Sequence, residues 1–256
     1  QDLRRQSVEL DRQAFRTATS GAPGPVHLEM PGRQGEAMVQ EPMDFGLLFE
    51  AEFGRYPAYR PEADPDAVGK AARLLSAAQR PILVAGGGVA ASRAWPEVVA
   101  LAEKLSVPVA TSLSGKGSLP DHHPLSVGVI GTYSRWCANR AVAEADLVFF
   151  IGSRAGGHTT AGWRIPRPGA AIVQLDIDPA EIGRNYPTKV GLCGDAKATL
   201  RRLTEAVGPN KGKKDWLDHV RRMVGEWRSE AQSFLNSDAT PRSEERRVGK
   251  ECRYRW

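Results

Sequence analysis

Leu147-Val148-Phe149-Phe150-Ile151-Gly152-Ser153-Arg154 and, further on, Ala171-Ile172-Val173-Gln174-Leu175-Asp176-Ile177-Asp178-Pro179 decide the fold of this chain. Each is an apolar run that ends in polar chemistry at its C-terminal side. In an open parallel sheet, ligands sit at the carboxyl ends of the strands, where loops are free to carry function. Gly152 and Arg154 after one run and Asp176 after the other therefore point to a bound, nucleotide-like ligand. Nothing in the stretch resembles a complete set of catalytic groups. The reading is one binding domain of a larger enzyme.

Working outward, residues 65–207 alternate between helical and strand periods. Ala67–Leu75 reads as helix, Ile82–Ala85 as strand, Ala94–Leu105 as helix and Val107–Thr111 as strand. Tyr133–Ala145 is helical and is followed by the two strands above. Lys189–Cys193 is a last strand and Ala196–Val207 a last helix. Strands alternating with helices of this length predict an α/β fold, a Rossmann-like parallel sheet with helices on both faces, over residues 65–208.

Upstream, residues 1–31 predict a helix stopped by Ser20-Gly21-Ala22-Pro23-Gly24, then a short strand, Pro25–Met30. A helix and a strand cannot bury their apolar faces alone, so this unit belongs with a preceding domain. Residues 32–64, rich in Gly, Pro and charge, read as a surface linker. Past Pro209 a basic spacer leads to Trp216–Leu235, whose apolar residues recur at helical steps; this amphipathic helix is expected to lie between domains, over 209–241. Arg242–Trp256 is densely charged without period or caps and reads as an unstructured, non-native tail.

The formal charge of +5 is concentrated in that tail, where six Arg or Lys face three Glu, a surplus of three that leaves +2 elsewhere. This is no basic stripe for nucleic acid. No apolar run approaches the roughly 18–20 residues that span a membrane. Cys137, Cys193 and Cys252 form no metal-ligand pattern; Cys137 and Cys193 read as small buried residues, in an intracellular, cytoplasmic setting. Gln1-Asp2-Leu3-Arg4-Arg5 has neither an initiator Met nor a signal-peptide core, as if the chain began mid-gene.

Within Ile82–Ala91, Gly86-x-Gly88-x-x-Ala91 fits the dinucleotide pattern ahead of a helix expected near Ser92. Its glycines allow a tight turn and close approach of a ligand, and the helix N-terminus favours an anion. A glycine turn needed only for packing is the other reading. The Rossmann fingerprint also needs a ribose-holding acid about 20 residues on; none occurs between Lys104 and Pro120, which disfavours ordinary NAD binding. Gly115-Lys116-Gly117 fails as a phosphate loop, and the adjacent His122-His123 read as turn residues rather than metal ligands. His158, among glycines and threonines, is a weaker candidate to face a ligand. Asp176 can accept from a ribose or an adenine amine. Asp178 before Pro179 and Asp195 before Ala196 read as helix caps.

In order and spacing these segments resemble one family. Ala14-Phe15-Arg16-x-Ala18-x-Ser20-Gly21-x-Pro23-Gly24-Pro25-Val26 resembles the end of the pyrimidine-binding domain of thiamine-diphosphate enzymes. Four further segments resemble their central domain, closest to the acetolactate-synthase-like group. They are Arg80-Pro81 through Gly88; Gly115-Lys116-Gly117-x-x-Pro120-x-x-His123-Pro124; Ala145-Asp146-Leu147 to Gly152-x-Arg154; and Asp176-Ile177-Asp178-Pro179-x-Glu181-Ile182-Gly183. The resemblance covers residues 1–241.

It implies a three-domain, homo-oligomeric (dimer or tetramer) parent that decarboxylates a 2-oxo acid and joins the remaining fragment to an acceptor. The thiamine ylid supplies that chemistry. The family's activating glutamate and its Gly-Asp-Gly…Asn magnesium motif are not in this stretch. Thiamine diphosphate and Mg2+ would thus be held mostly elsewhere, and the stretch alone would be catalytically inert. For the central domain the resemblance implies FAD or ADP, or neither. Carried over by position, the cofactor-binding candidates are Gly86, Gly87, Gly88, Thr111, Leu113, Gly152, Arg154, Asp176, Ile177, Gly194 and Asp195. The family's R-F-D-D-R flavin segment is Arg154-Ala155-Gly156-Gly157-His158 here, and its G-M-H-G loop is Gly128-Val129-Ile130-Gly131. Two rival readings are a free-standing Rossmann-like nucleotide-binding module, against which an unpartnered helix at 216–235 would count, and a non-catalytic scaffold.

Overall fold

The computed structural model describes residues 2–29, 50–208 and 213–235. Residues 32–49 of the expected 32–64 linker, the basic spacer at 209–212 and the tail beyond 235 lie outside the described residues. The chain divides into two compact units, 1–60 and 61–256.

In the first unit, α1 (Asp2–Thr19) ends at Ser20-Gly21, where Gly21 adopts φ +63°. Arg16 forms a two-pronged ion pair with Glu50, and its guanidinium lies 4.7 Å from the centre of the Phe53 ring. Pro23–Glu29 forms no strand, contrary to the sequence expectation. A strand exists only through its ladder, and no neighbouring strand of the described residues takes up these backbone groups.

In the second unit, Asp64 caps α2 (Pro65–Ala77) by accepting from the Ala67 N–H, with Pro65 in the first helical turn, where its missing N–H costs nothing. There follow β1 (Pro81–Ala85), α3 (Gly87–Ala91), α4 (Trp95–Leu105), β2 (Val109–Thr111), β3 (Ser126–Val129), α5 (Trp136–Glu144), β4 (Leu147–Ile151), β5 (Ala171–Asp176), β6 (Val190–Cys193), α6 (Ala196–Ala206) and α7 (Lys214–Leu235). All strand pairs are parallel, in the order β3-β2-β1-β4-β5-β6. The order reverses between β1 and β4, which places a topological switch point there.

Alternate strand residues feed two cores. Leu83, Phe149, Ile151, Leu175 and Leu192 meet Leu75, Leu101, Leu105, Leu200 and Leu203 of α2, α4 and α6 on one face. Ile82, Val84, Val148, Phe150 and Ile172 meet Cys137, Ala138, Ala141 and Val142 of α5 on the other. Each fully buried Leu, Ile or Phe contributes about 1.5–3 kcal/mol against exposure.

The second face would be half bare with α5 alone, because the β2–β3, β4–β5 and β5–β6 connections carry no α-helix. Helix α7 closes it. Trp216, Val220, Met223 and Val224 join that core, and the Trp216 indole N–H donates to the Pro81 carbonyl at 2.9 Å. His219 meets Glu144 at the end of α5 and Glu230 meets Trp136 at its start, so the two helices run antiparallel. The expectation that the 216–235 helix lacks a partner is therefore corrected for its described stripe: Trp216, Val220 and Met223 are buried within this unit.

Three further expectations are corrected. β3 was not expected; its Ser and Gly dilute the apolar signal. Cys193 is exposed, because edge strand β6 buries only alternate residues, while Cys137 is buried as expected. The helix after the glycines starts at Gly87 and has five residues, with Ser92 at its C-cap rather than its start. At the opposite edge of the sheet, the Asp146 carboxylate accepts from the Gln79 and Arg80 N–H groups, both at 2.9 Å, and fixes the chain's entry into β1. Nearby, buried Lys213 donates to the Leu75 carbonyl at 2.5 Å in the last turn of α2. No described helix is long and apolar enough to cross a membrane.

Candidate functional site

The proposed cofactor residues all fall at the carboxyl edge of the sheet. Gly86, Gly87 and Gly88 follow β1, Thr111 ends β2, and Leu113 starts the short turn beyond it. Gly152 and Arg154 follow β4, Asp176 ends β5 with Ile177 next, and Gly194-Asp195 follow β6. They differ in what they offer a ligand.

The glycines at the switch point meet protein. The Gly86 N–H donates to the Ile151 carbonyl at 2.8 Å and the Gly88 N–H to the Gly152 carbonyl at 2.9 Å. A methyl on Gly86 would come within 2.2 Å of the Gly152 oxygen, and one on Gly88 within 2.7 Å of the Gly152 Cα. Gly152 itself has φ +56°, open to glycine at no steric cost. At this helix start a backbone carbonyl takes the Gly88 donor, and α3 is one short turn. Gly194 is likewise pressed on the chain at 61–63, where an added methyl would meet the Ala63 nitrogen at 2.7 Å.

Asp195 is a cap, as its position suggested. Its Oδ1 accepts from the Ala198 N–H at 3.0 Å, while its Oδ2 accepts from the Ser92 hydroxyl at 2.6 Å. Ser92 Oγ in turn accepts from the Lys197 N–H at 3.1 Å. The Lys197, Ala198 and Thr199 N–H groups of the first turn of α6 are thereby taken from within. Asp178 caps the 179–181 turn through Ala180, at 2.9 Å.

The open chemistry lies between β4 and β5. Asp176 is half-buried, and burial raises its carboxyl above the usual range against the pull of the Asp178 and Ile177 backbone N–H groups. Its Oδ1 accepts from the Asp178 N–H at 3.1 Å. Arg154 is 70% exposed, with its Nε 3.6 Å from Oε1 of Glu181, which is buried. Leu113 is exposed beside the switch point and Ile177 is half-buried. His158 is exposed, its carbonyl taken by the Thr132 N–H.

Sequence reasoning missed the residue that joins these two strand ends. Gln174, buried in β5, donates from Nε2 to the Ser153 carbonyl (3.1 Å) and the Glu181 carbonyl (3.0 Å), and accepts at Oε1 from the Gly183 N–H (2.9 Å). The available signal was a lone amide inside an apolar run, which must find partners when buried. A separate cleft, away from this edge, lies between Pro108, His122–Val127 and α7.

An acid for ribose hydroxyls, a guanidinium for phosphate and two apolar flanks fit the ADP half of a dinucleotide. Positions 156 and 157, as glycines, add no side chain for a flavin ring. No cluster of three His, Cys, Asp or Glu suited to a metal occurs among the described residues.

A doubly wound parallel domain with its chemistry at the strand ends defines the class, and comparison with known proteins agrees. The family described as "Thiamine pyrophosphate enzyme, central domain" matches residues 68–203, so the chain belongs to the thiamine-diphosphate enzymes, in their acetolactate-synthase-like branch. It is similar to a probable acetolactate synthase large subunit of Methanocaldococcus jannaschii (38% identical; 83% of this chain, 36% of that protein). A probable large subunit of Methanococcus aeolicus is 33% identical over 91% of this chain and 38% of its own. The large subunit of Corynebacterium glutamicum is 34% identical over 82% and 33%. The chain spans about a third of the length of the curated relatives it matches.

Proposed function

We propose that this chain is the middle of a cytoplasmic, homo-oligomeric thiamine-diphosphate enzyme that decarboxylates a 2-oxo acid and transfers the remaining fragment, as its acetolactate synthase relatives' names suggest. Within it, this domain binds the ADP portion of FAD or ADP across the ends of β4 and β5. The observation that carries the reading is the placement of half-buried Asp176 and exposed Arg154 at the ends of adjoining strands, with the backbones that follow tied together by Gln174. Thr111, Leu113, Ile177 and the glycines shape the surrounding edge. Thiamine diphosphate and Mg2+, held mostly outside this chain, supply the carbanion chemistry when bound; the nucleotide-site residues take no step in it.

Calorimetric titration of the chain with ADP and with FAD tests the domain's part. Asp176→Asn is expected to weaken either ligand about tenfold by removing an anionic acceptor. Equal affinity in both proteins would sink the assignment of this strand end. Formation of an acetohydroxy acid from pyruvate by the full-length protein, dependent on thiamine diphosphate and Mg2+, tests the enzyme reading.

A second reading has its own support. Because α7 docks on its own unit, the domain has what a free-standing nucleotide-binding module needs. Such a module would bind nucleotide at full affinity with the full-length protein inert toward 2-oxo acids.

A further inference from the structure

We infer that Arg184, set against Arg154 across Glu181, completes a two-arginine clamp for the phosphates of the nucleotide; the inference rests on the nucleotide reading above. Glu181 Oε1 lies 2.9 Å from Arg184 Nη1 and 3.6 Å from Arg154 Nε. The carboxylate is 8% exposed, whereas the Arg184 and Arg154 side chains are 63% and 70% exposed. One buried negative charge thus holds two cations whose outer edges face solvent, so that within this triad the arginines outnumber the carboxylate by one, with the Asp176 and Asp178 carboxylates beside it.

The scaffold beneath is fixed. Gln174 bonds the Glu181 and Ser153 carbonyls and the Gly183 N–H, and the Asn185 amide donates to the Arg154 carbonyl at 2.6 Å. The backbones on both sides of the clamp are therefore tied to each other and to β5. The charged groups that act on Asp176 are Glu181 and Asp178, which puts the clamp beside the proposed ribose acid, where the phosphates of the same nucleotide would lie.

The sheet edge gives those phosphates little else. The Gly88 N–H is spent on Gly152, and the first turn of α6 on Asp195 and Ser92. With the Gly88, Lys197, Ala198 and Thr199 N–H groups committed, exposed guanidinium forks are the charged means of meeting a diphosphate at this edge, and two of them can engage separate oxygens. A purely structural ion pair, which would only neutralise Glu181, is the rival account.

Titrating the chain with adenosine, AMP and ADP separates the two. Affinity should rise from adenosine to ADP and fall with salt. Arg184→Gln should weaken ADP about tenfold while changing adenosine less than about twofold, and Arg184→Lys should recover part of the loss. Equal loss for adenosine and ADP, or none for ADP, overturns the clamp while leaving the nucleotide reading standing. Absence of binding by all three ligands to the unsubstituted chain overturns the nucleotide reading itself, and the clamp with it. Arg184 is exposed, so matching near-ultraviolet circular dichroism is expected for every variant.

Discussion

The two faces of the sheet are closed by different means. On the first, α2, α4 and α6 come from the chain directly beside their strands and pack on one another. On the second, α5 stands alone until α7 returns from beyond β6 to lie antiparallel against it. The first face is built by local connections; the second waits for the last helix of the unit. The same apolar layer is therefore expected to open in one piece on one side and in two steps on the other.

The largest test sets Leu200→Ala, fully buried on the first face, against Trp216→Ala on the second. Each should cost about 2–5 kcal/mol. Hydrogen exchange should show protection lost throughout the unit for Leu200→Ala, but chiefly in α7 and α5 for Trp216→Ala. Uniform loss in both variants would break the comparison.

Alkaline titration sharpens it. Burial pushes the Cys137 thiol on the second face from its ordinary 9.0 up to about 11. The folded state keeps that proton longer than the unfolded state. The associated stability, about 2–3 kcal/mol, is complete below pH 9 and lost as pH rises to 11. Lys213, beside α2 on the first face, is held below its ordinary 10.5 by burial. Its contribution has the opposite sign: stability rises from the lowered value toward 10.5 as the unfolded state also sheds the proton. Denaturant midpoints across this range should fall less steeply in Cys137→Ala and more steeply in Lys213→Met.

Asp146→Ala addresses the edge that both faces share. Loss of the acceptor for two backbone N–H groups is expected to cost about 1–3 kcal/mol by urea unfolding. The smallest effect should come from the exposed pair Arg202–Glu62 at 2.9 Å, where Arg202→Ala should leave the urea midpoint essentially unchanged.

Sequence periodicity was enough to identify five of the six strands, because buried parallel strands are continuous apolar runs and their helices carry clear stripes. β3 escaped because Ser126 and Gly128 interrupt its run and no helix follows β2 to announce it. The partner of α7 was illegible for another reason: an amphipathic stripe shows that a face must be covered, not by what. At the site, the strand ends and the Asp178 and Asp195 caps could be read locally. The fate of the Gly88 N–H could not, since it depends on a carbonyl at Gly152, far along the chain. The meeting of Arg154 with Glu181 and Arg184 was illegible because the residues lie in two separate loops, after β4 and after β5, which Gln174 draws together.

Trp216 gives the second face an optical gauge. Its indole is 5% exposed, donates its N–H to a strand carbonyl, and stacks on the His219 ring at 5.8 Å. Lifting α7 from α5 would pass that ring from a dry contact into water and shift its emission to the red. Half-buried Trp136 and Trp227, at the same α5–α7 contact, would shift with it, while Trp95 and Trp163, already exposed, would hold the red background steady. Helix departure can therefore be timed by stopped-flow fluorescence without adding a label.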